Sequence, residues 1–513
     1  MDDPGTQVSR RTVIKGTAVA GLGLAVGGAP ADGFPIGTAT PPEALMIPND
    51  QWFAERAWSV SANRILGETT VVTSLAKRIY RPGSAAEIAE IVKSLPATTP
   101  IACVCGGHES SNAAMVASGD AVILDLIRLK SIDFHTSDGE SLVTVGSGVV
   151  FRELVEAVKA HGGALPVGTG PGVGVAGYVL NGGLSSYFSR RLGLLGQRVV
   201  RMTVVTPAGD VRVLTAKDDL FAAMLGAGSA LAIVADLTLQ LADASVVKSA
   251  EQRVFGFGTR EQAVRYSREA MRFMRERVIP DESVSLEVVV TGTRAIVVTT
   301  VFYDGFAGDS AAFVRPLEEL AASMNLPALA QGRWGSWYEA ATALWPVIAR
   351  QTGAPLATLY HCVGTEGVPA DHVLDFVSGT VVGKAPLDEA ELSIVEIRSL
   401  GGAAQKGPRI PTGNCRHAFF VDLITLYDAK AKSRVERHAI VDATNRIVDD
   451  ARAVPGLGVD FSGTHSQPDD VGRAAAASAI FGSADMAATV GRLKRQVDPD
   501  NRLRFHPFAK FIA

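Results

Sequence analysis

The stretch CVCGGHESSNAAM, residues 103–115, places one imidazole directly after two glycines and before a run of small polar side chains. A neutral imidazole can act as a base, a nucleophile or a metal ligand. Cys103 and Cys105 alternate along the strand that leads into the turn, so they share one face, and such neighbours rarely form a disulfide. With four cysteines in the chain and no spacing that completes a zinc site, we predict buried thiols and no metal site. His108 therefore either caps the turn or faces a ligand other than a metal.

A second stretch, residues 168–194, is rich in glycine and contains the G-x-G-x-x-G pattern of dinucleotide sites at 172–177. A nicotinamide site also needs an acidic residue about 20 positions further on, yet the chain has no Asp or Glu over 157–209. Such a segment can bring many backbone N–H groups close to a phosphate without like-charge repulsion. We predict that it joins residues 106–107 in holding one diphosphate; the alternative is a mobile glycine loop.

The amino-acid composition limits which kinds of protein and partner are possible. The 513 residues carry a net charge of −4, with 20% charged and 47% hydrophobic residues, which is typical of a globular protein long enough for two domains. This balance excludes nucleic acid and anionic membranes as general partners. We predict a small-molecule partner, and the sequence indicates no oligomeric state.

The amino terminus has the order of segments that an export signal requires. Arg10-Arg11 precede an apolar stretch at 17–28 that is too short to span a bilayer, and Ala29-Pro30-Ala31 forms an A-x-A cleavage site. The paired arginines resemble a twin-arginine signal; the alternative is a frayed basic terminus. We predict that residues 1–31 are a twin-arginine signal peptide and that the protein is periplasmic or secreted.

Capping patterns and hydrophobic periodicity predict an α+β protein. The capping box Ser84-x-x-Glu87 begins an amphipathic helix that leads into the first apolar strand, and the box Thr259-x-x-Gln262 begins a helix through Val278. Other predicted elements are helices over 151–161 and 486–497, and strands within 121–126, 141–148, 199–216, 230–241, 285–305, 393–398 and 418–427. In the second half of the chain these elements indicate a sheet backed by helices.

Together the motifs resemble a known family. The Gly-Gly-His turn, the VILDL strand, the glycine-rich block and DLFAAMLGAGSALAIVADLTL are similar, in order and spacing, to FAD-linked oxidases of the vanillyl-alcohol oxidase and berberine-bridge-enzyme type. The resemblance covers about residues 70–245, and residues 493–505 show a weaker similarity to the same family. It implies a two-subdomain PCMH-type FAD-binding domain over 45–245, a substrate domain with a large antiparallel sheet covered by helices over 246–460, and a C-terminal segment over 461–513 that returns to the FAD domain.

The resemblance implies FAD as the cofactor and gives His108 a role. In that family this histidine commonly bonds to the flavin 8-methyl carbon, for which a neutral imidazole is a suitable nucleophile. The residues implied to bind FAD are Gly106, Gly107, His108, Glu109, Ser110, Ser111, Asn112, Gly170, Gly172, Val173, Gly174, Val175, Gly177, Gly182, Gly183, Ile233 and Val234. Doubly attached members carry a cysteine where this chain has Gly170, and the arginine usual before Gly-Gly-His is replaced by Val104-Cys105, so we expect one attachment at most. Val173 stands where a valine accompanies reaction of reduced flavin with O2, which favours an oxidase.

The resemblance does not fix the catalytic base, because the chain departs from the family near its end. FGSADMAATV at 481–490 and GVDF at 458–461 stand where bacterial relatives have aromatic motifs. Candidate bases by position are His417 and Asp460, followed by Tyr427 and Glu396 on neighbouring strand-like runs. The alternative for each of these residues is a purely structural role. The aromatic residues of WGSWY at 334–338 form either a substrate wall or, at helical spacing, part of the core.

We therefore expect an exported FAD-dependent oxidoreductase that transfers a hydride from an alcohol, amine or sugar-like substrate to flavin and then to O2. One alternative is a dehydrogenase that uses another electron acceptor. A second alternative, from a different class, is a flavin-binding protein without catalysis.

Overall fold

The computed structural model describes residues 41–56, 65–66, 69–70, 74–108, 114, 117–345, 357–428, 431–460, 473–506 and 508–512. Contacts divide the chain into two units, Met1–Thr38 and Ala39–Ala513, and the described residues all belong to the second. The predicted signal peptide at 1–31 therefore lies outside them. Within the described residues, no helix combines the length and the apolar character needed to cross a membrane.

The first sheet carries the strand that leads into the Gly-Gly-His turn. In the described part of the chain it has the order β1-β2-β4-β3, in which β2, β4 and β3 run parallel. The strands are β1 (Met46–Ile47), β2 (Arg78–Tyr80), β3 (Ile101–Val104) and β4 (Val122–Asp125). Helix α1 (Asn49–Arg56) follows β1, and helix α2 (Ala85–Ser94) connects β2 to β3. Because parallel strands are covered on both faces, β3 and β4 are almost entirely apolar and buried.

Helix α2 forms where its capping pattern predicts. The Ser84 hydroxyl accepts a hydrogen bond from the Glu87 backbone N–H at 3.1 Å, which satisfies a donor that the first turn leaves free. Ile88, Ile91 and Val92 are buried on one face. Their spacing therefore positions the helix against the first sheet.

The second sheet is antiparallel, with the order β8-β7-β9-β6-β5 among the described strands. The strands are β5 (Ile132–Ser137), β6 (Glu140–Gly146), β7 (Val199–Val205), β8 (Val211–Thr215) and β9 (Ile233–Gln240). The helices of this region are α3 (Phe151–Ala160), α4 (Val175–Leu180), α5 (Ser189–Leu192) and α6 (Asp219–Ala227). The glycine-rich stretch, residues 168–194, begins after α3 and contains α4 and α5.

The third sheet is antiparallel and, within the described residues, joins eight strands in the order β13-β10-β12-β11-β15-β16-β14-β17. The strands are β10 (Val247–Gly256), β11 (Val284–Thr291), β12 (Ala295–Tyr303), β13 (Ala328–Trp334), β14 (Ala357–Thr365), β15 (Leu392–Ser399), β16 (Phe419–Tyr427) and β17 (Gly458–Asp460). The helices of this region are α7 (Arg260–Phe273, continued by a π turn to Val278), α8 (Ala311–Ser323), α9 (Trp337–Thr342), α10 (Asp371–Phe376, continued by a π turn to Val382), α11 (Ala403–Lys406) and α12 (Arg434–Arg452). One face of the sheet buries apolar side chains such as Val288, Val395 and Val421 against helices α7, α8 and α10.

The end of the chain lies against the first two sheets. Helices α13 (Arg473–Phe481), α14 (Ala484–Val497) and α15 (Ala509–Ile512) form this segment. The buried Lys494 ammonium donates to the Ala230 carbonyl oxygen at 2.8 Å, and the Arg502 guanidinium donates to the Thr99 carbonyl oxygen at 3.1 Å. The Ile101 N–H donates in turn to the Arg502 carbonyl oxygen at 2.8 Å, so the tail is bonded to the strand that precedes the Gly-Gly-His turn.

Short elements complete the description. Two further strand pairs are Ile65–Leu66 with Thr69–Thr70 and Gly163–Ala164 with Ala242–Asp243. Single 3-10 turns lie at Pro42–Leu45, Leu126–Arg128, Leu195–Arg198, Gly228–Ala230, Ala244–Val246 and Gly413–Arg416. The predicted α+β class, with a large antiparallel sheet covered by helices, is confirmed; the four domain boundaries stay predictions.

Candidate cofactor and substrate site

The two glycine loops touch through their backbones. An ideal Cβ on Gly106 would lie 2.4 Å from the Gly174 nitrogen, and one on Gly174 would lie 2.5 Å from the Gly106 nitrogen, so neither position has room for a side chain. Gly107 adopts φ 71°, in the left-handed region that favours glycine. We call Gly106, Gly107, Gly170 and Gly174 the glycine cradle.

A cavity of about 390 Å³ opens at the glycine cradle. Three parts of the chain line it: the two glycine loops, the end of the chain near His506, and one face of the third sheet. Of the residues predicted to bind FAD, those lining the cavity are Gly106, Gly107, His108, Gly170, Val173, Gly174, Gly177, Gly183 and Val234. A volume of this size is typical of small-molecule and cofactor sites.

The other residues predicted to bind FAD lie elsewhere. Glu109, Ser110, Ser111 and Asn112 fall outside the described residues. Gly172, Val175, Gly182 and Ile233 do not line the cavity. Val175 begins α4 with its side chain buried in the core, Ile233 is buried under the first sheet, and an added Cβ on Gly182 would face Thr412 at 3.0 Å.

His108 stands in the cavity wall immediately after the cradle. Burial lowers the pKa of its imidazole, so the ring is held neutral at physiological pH. A neutral ring keeps a nitrogen lone pair, which is the form that a nucleophile toward a flavin methyl group requires.

The wall facing the cradle is polar and comes from the third sheet. The residues of this wall that line the cavity are Tyr360, Glu396, Arg398 and Ile424. Strand register explains why they meet, because Glu287 pairs with Arg398, Glu396 with Asp422, Asp422 with Cys362 and Ile424 with Tyr360. We call Glu287, Tyr360, Glu396, Arg398 and Asp422 the polar wall.

Arg398 is the hub of the polar wall. Its guanidinium donates to Glu287 Oε1 at 3.0 Å and also forms ion pairs with Glu396 and Asp422. Burial alone would lower the pKa of Arg398, but the carboxylates of Asp422 and Glu287 raise it, so the cation persists. Burial, followed by the negative charge of Asp422, raises the pKa of Tyr360, which keeps its phenol protonated.

The predicted catalytic residues occupy other positions. His417 is buried with its ring against Gly364, where an added Cβ would lie 2.7 Å from Nδ1. Tyr427 packs against Ile440 of α12, on the sheet face opposite Ile424, and the Asp460 backbone pairs with Cys362 in β17. His417 and Tyr427 do not line the cavity, whereas Glu396 does; the side chain of Asp460 lies outside the described part of the chain. All four roles stay predictions.

Two cysteines and an aromatic stretch lie near the cavity. Cys103 and Cys105 are half-buried and line it, and burial is the main cause that raises the pKa of Cys103. Trp337 is buried and its indole N–H donates to the Leu165 carbonyl oxygen at 2.9 Å, so it takes the core position that helical spacing favours.

The end of the chain contributes His506 to the cavity wall. Its Nε2 lies 3.1 Å from Asn181 Oδ1, and its Nδ1 accepts a hydrogen bond from the Phe508 N–H at 3.2 Å. One nitrogen therefore donates while the other accepts, which fixes a neutral tautomer. Burial, with a smaller contribution from Lys494, lowers the pKa of His506 to about 3.

These residues fit a dinucleotide with a flavin end. The glycine cradle exposes backbone groups because Gly106 and Gly174 carry no side chain that would cover them. Among the described residues that line the cavity, Glu396 is the one carboxylate. A diphosphate at the cradle would thus meet backbone donors without carboxylate repulsion. The flavin ring would extend past His108 toward the polar wall, where a substrate can contact Glu396 and Arg398.

Comparison with known proteins identifies the first part of the chain. Residues 76–215 match the family model described as a FAD binding domain. The FAD-linked oxidoreductase azaL of Aspergillus niger is 28% identical over 169 residues, which are 32% of this chain and 35% of that protein. Berberine bridge enzyme-like 22 of Arabidopsis thaliana is 29% identical over 156 residues, 30% of this chain and 29% of that protein. The matched segments thus span about a third of these curated relatives.

Solved structures share the fold over most of the chain. A grass pollen allergen with glucose dehydrogenase activity, Phl p 4, superposes with a TM-score of 0.71 at 16% identity and covers 91% of this chain and 96% of its own. A glucooligosaccharide oxidase of Acremonium strictum gives a TM-score of 0.67 at 16% identity, with coverage of 83% and 89%. The predicted FAD binding domain, and with it FAD as the cofactor, is confirmed.

Gly174→Ala is expected to separate the two glycine loops. The added methyl group would overlap the Gly106 backbone, and relieving such an overlap costs about 1–3 kcal/mol. We expect at least a tenfold loss of FAD per folded chain, measured by absorbance of the purified protein. Gly379→Ala is the matched control, because its Cβ would meet no atom within 4 Å. Equal FAD content in both variants would contradict the cradle.

The stability of the protein is expected to fall in acid because His506 stays neutral when folded. The pKa of an unfolded histidine is about 6.5, whereas the pKa of His506 in the fold is about 3. Between these values the unfolded state binds the extra proton, so this residue's share of the unfolding free energy drops by about 2 kcal/mol from pH 7 to pH 5.

Urea denaturation at both pH values measures this effect. In His506→Asn we expect the free energy of unfolding to fall less between pH 7 and pH 5 than in the wild type. The matched control, His135→Asn, replaces an exposed histidine and is expected to show the same fall as the wild type. An acid dependence that is identical in the wild type and in His506→Asn would refute the assignment.

Proposed function

Because residues 76–215 form a FAD binding domain and the described chain has the fold of known flavin proteins, we propose that it is a FAD-dependent oxidoreductase that oxidises an alcohol, amine or sugar-like substrate. The observation that carries the proposal is the cavity itself. The glycine cradle and residues of the polar wall line the same cavity, so a flavin held by the first would share the cavity with a substrate held by the second.

Each part of the cavity has a role in the proposed reaction. The glycine cradle holds the diphosphate through backbone N–H groups, and His108 contacts the flavin. FAD, when bound, accepts the hydride from the substrate carbon. Glu396 takes the proton from the substrate hydroxyl or amine, and Arg398 fixes the Glu396 carboxylate in place.

We propose a single covalent attachment through His108. The related glucooligosaccharide oxidase carries a 6-S-cysteinyl, 8α-N1-histidyl FAD. This chain offers the histidine, whereas Gly170 in the second loop has no thiol. An added Cβ at Gly170 would lie 2.8 Å from the Val173 side chain, so a larger residue there would also displace Val173.

We further propose O2 as the electron acceptor, with export by the twin-arginine route as the cellular context. Val173 lines the cavity, and in the family that the sequence resembles a valine at this position accompanies reaction of reduced flavin with O2. The second candidate is a dehydrogenase, which the glucose dehydrogenase activity of Phl p 4 brings into consideration. Consumption of O2 during turnover separates the two, and the presence of residues 1–31 in precursor but not in periplasmic or secreted protein tests the export.

The function is tested with the purified protein and a substrate panel. We expect flavin absorbance in the protein and bleaching of that absorbance, without O2, by at least one alcohol, amine or oligosaccharide. After acid precipitation, flavin fluorescence should stay in the pellet of the wild type and of the exposed His161→Ala control, and leave the pellet of His108→Ala. Protein without flavin would overturn the function, and fluorescence retained in the His108→Ala pellet would overturn the attachment.

Glu396→Gln tests the proton acceptor. The amide keeps the shape of the carboxylate but accepts no proton, so the rate constant of anaerobic flavin bleaching is expected to fall about 100-fold or more. The matched control is Glu391→Gln, which affects a surface ion pair with Lys432 at 3.1 Å. Stopped-flow absorbance with a panel substrate measures both. Equal rates in the two variants would assign the proton to another group.

A further inference from the structure

A short segment, residues 184–190, joins the second glycine loop to the third sheet. We call it the bridging segment. Leu184 and Ser186 line the cavity, and Arg190 lies in α5 at the other end. The segment therefore contacts the cofactor side at its beginning and can reach the polar side at its end.

On the cofactor side, hydrogen bonds hold the beginning of the segment. The Tyr178 hydroxyl donates to the Leu184 carbonyl oxygen at 2.5 Å, and the Ser185 hydroxyl donates to the Val167 carbonyl oxygen at 2.7 Å. Val167 directly precedes the glycine-rich loop, and Tyr178 lies in α4 next to Gly177. These hydrogen bonds thus fix the beginning of the segment to the loop that carries Gly170 and Gly174.

On the sheet side, Arg190 holds the end of the segment. Its side chain is buried, with 3% exposed, and among the described residues its hydrogen bonds go to backbone carbonyl oxygens. Nε donates to Val284 at 2.8 Å, and Nη1 donates to Leu400. Nη2 donates to Val278 at 2.9 Å and to Ile279 at 2.7 Å.

These carbonyls belong to the elements that carry the polar wall. Val284 begins β11, three residues before Glu287, and Leu400 follows the end of β15, two residues after Arg398. Val278 and Ile279 end the helical stretch that begins with α7, where free carbonyl oxygens favour a cation. One guanidinium therefore holds both strand ends and a helix end at fixed distances.

A second contact supports the same link. The Tyr303 hydroxyl donates to the Tyr187 carbonyl oxygen in the middle of the bridging segment and lies 2.8 Å from Ser285 Oγ. Tyr303 ends β12, and Ser285 lies next to Val284 on β11. The sheet thus holds the segment at two points.

We propose that Arg190 is a positioning residue that sets the separation between the glycine cradle and the polar wall, and hence the placement of substrate against flavin. The inference rests on the proposed function for its consequence, because the cavity between these walls is the proposed reaction site. Arginine suits the role because its planar fork of five N–H donors reaches several carbonyls at once, whereas the lysine ammonium is a single point with three donors.

The neighbouring residue provides a matched control. Arg191 lies on the same helix and also bonds to the third-sheet region, through Asp304 at 2.7 Å, but this pair is largely exposed. Exposed ion pairs contribute little to structure. Arg190→Met and Arg191→Met therefore remove the same charge one residue apart, and only the first removes the buried link.

The test compares hydrogen exchange and visible circular dichroism in the FAD-loaded variants. In Arg190→Met we expect exchange at least tenfold faster at residues 284–287 and 398–400, with FAD still bound, together with a changed circular dichroism band of the flavin. Arg190→Lys is expected to recover part of both signals, and Arg191→Met to match the wild type. Exchange and dichroism that are the same in Arg190→Met and Arg191→Met would overturn the proposal.

A second variant covers the case in which Arg190→Met does not fold. Tyr303→Phe removes the other link and keeps the buried ring, and we expect the same changes at a smaller size. Where Arg190→Met does not fold, Arg190→Lys, which keeps the charge but loses the fork of donors, decides the role of Arg190: exchange and dichroism at wild-type values in Arg190→Lys would overturn the proposal. A protein that folds without flavin would overturn the proposed function instead, and hydrogen exchange would still decide the role of Arg190.

Discussion

The site depends on one close contact, the backbone of Gly106 against the backbone of Gly174. These residues come from different parts of the fold: Gly106 follows a strand of the first sheet, and Gly174 precedes α4 beside the second. Because a methyl group on either glycine would overlap the other backbone, the two loops can meet only where both residues are glycine. That contact places His108, Gly170 and Val173 around one cavity.

Much of the first half of the fold could be predicted, because its signals are local. The Ser84 capping box and the apolar positions of α2 are set within one helix, and the structure shows both. The strands at 101–104 and 122–125 are nearly all apolar, as buried parallel strands must be. The glycine motif could likewise be read as a loop that approaches another group closely. It could not show which group, because the partner loop is more than 60 residues away in sequence.

Apart from Glu396, the residues of the polar wall were not predicted, because strand register brings them together. Glu287, Arg398 and Asp422 meet only when β11, β15 and β16 pair in one particular register, and no local pattern encodes that register. Side chains alternate along a strand, so Tyr427 and Ile424, three residues apart on β16, face different sides. A one-residue shift of register would exchange the two faces. A usable signal did exist: Glu396 and Arg398 alternate with Val395 and Ile397, so two charges share one face of an otherwise apolar strand.

The described residues on the two sides of the cavity differ in charge. The cofactor side presents backbone and neutral histidines, because burial lowers the pKa of both His108 and His506. The sheet side places three carboxylates around the guanidinium of Arg398, which leaves an excess of negative charge next to the cavity. In the proposed reaction Glu396, on the sheet side, takes a proton from the substrate, while the hydride leaves toward the flavin on the cofactor side.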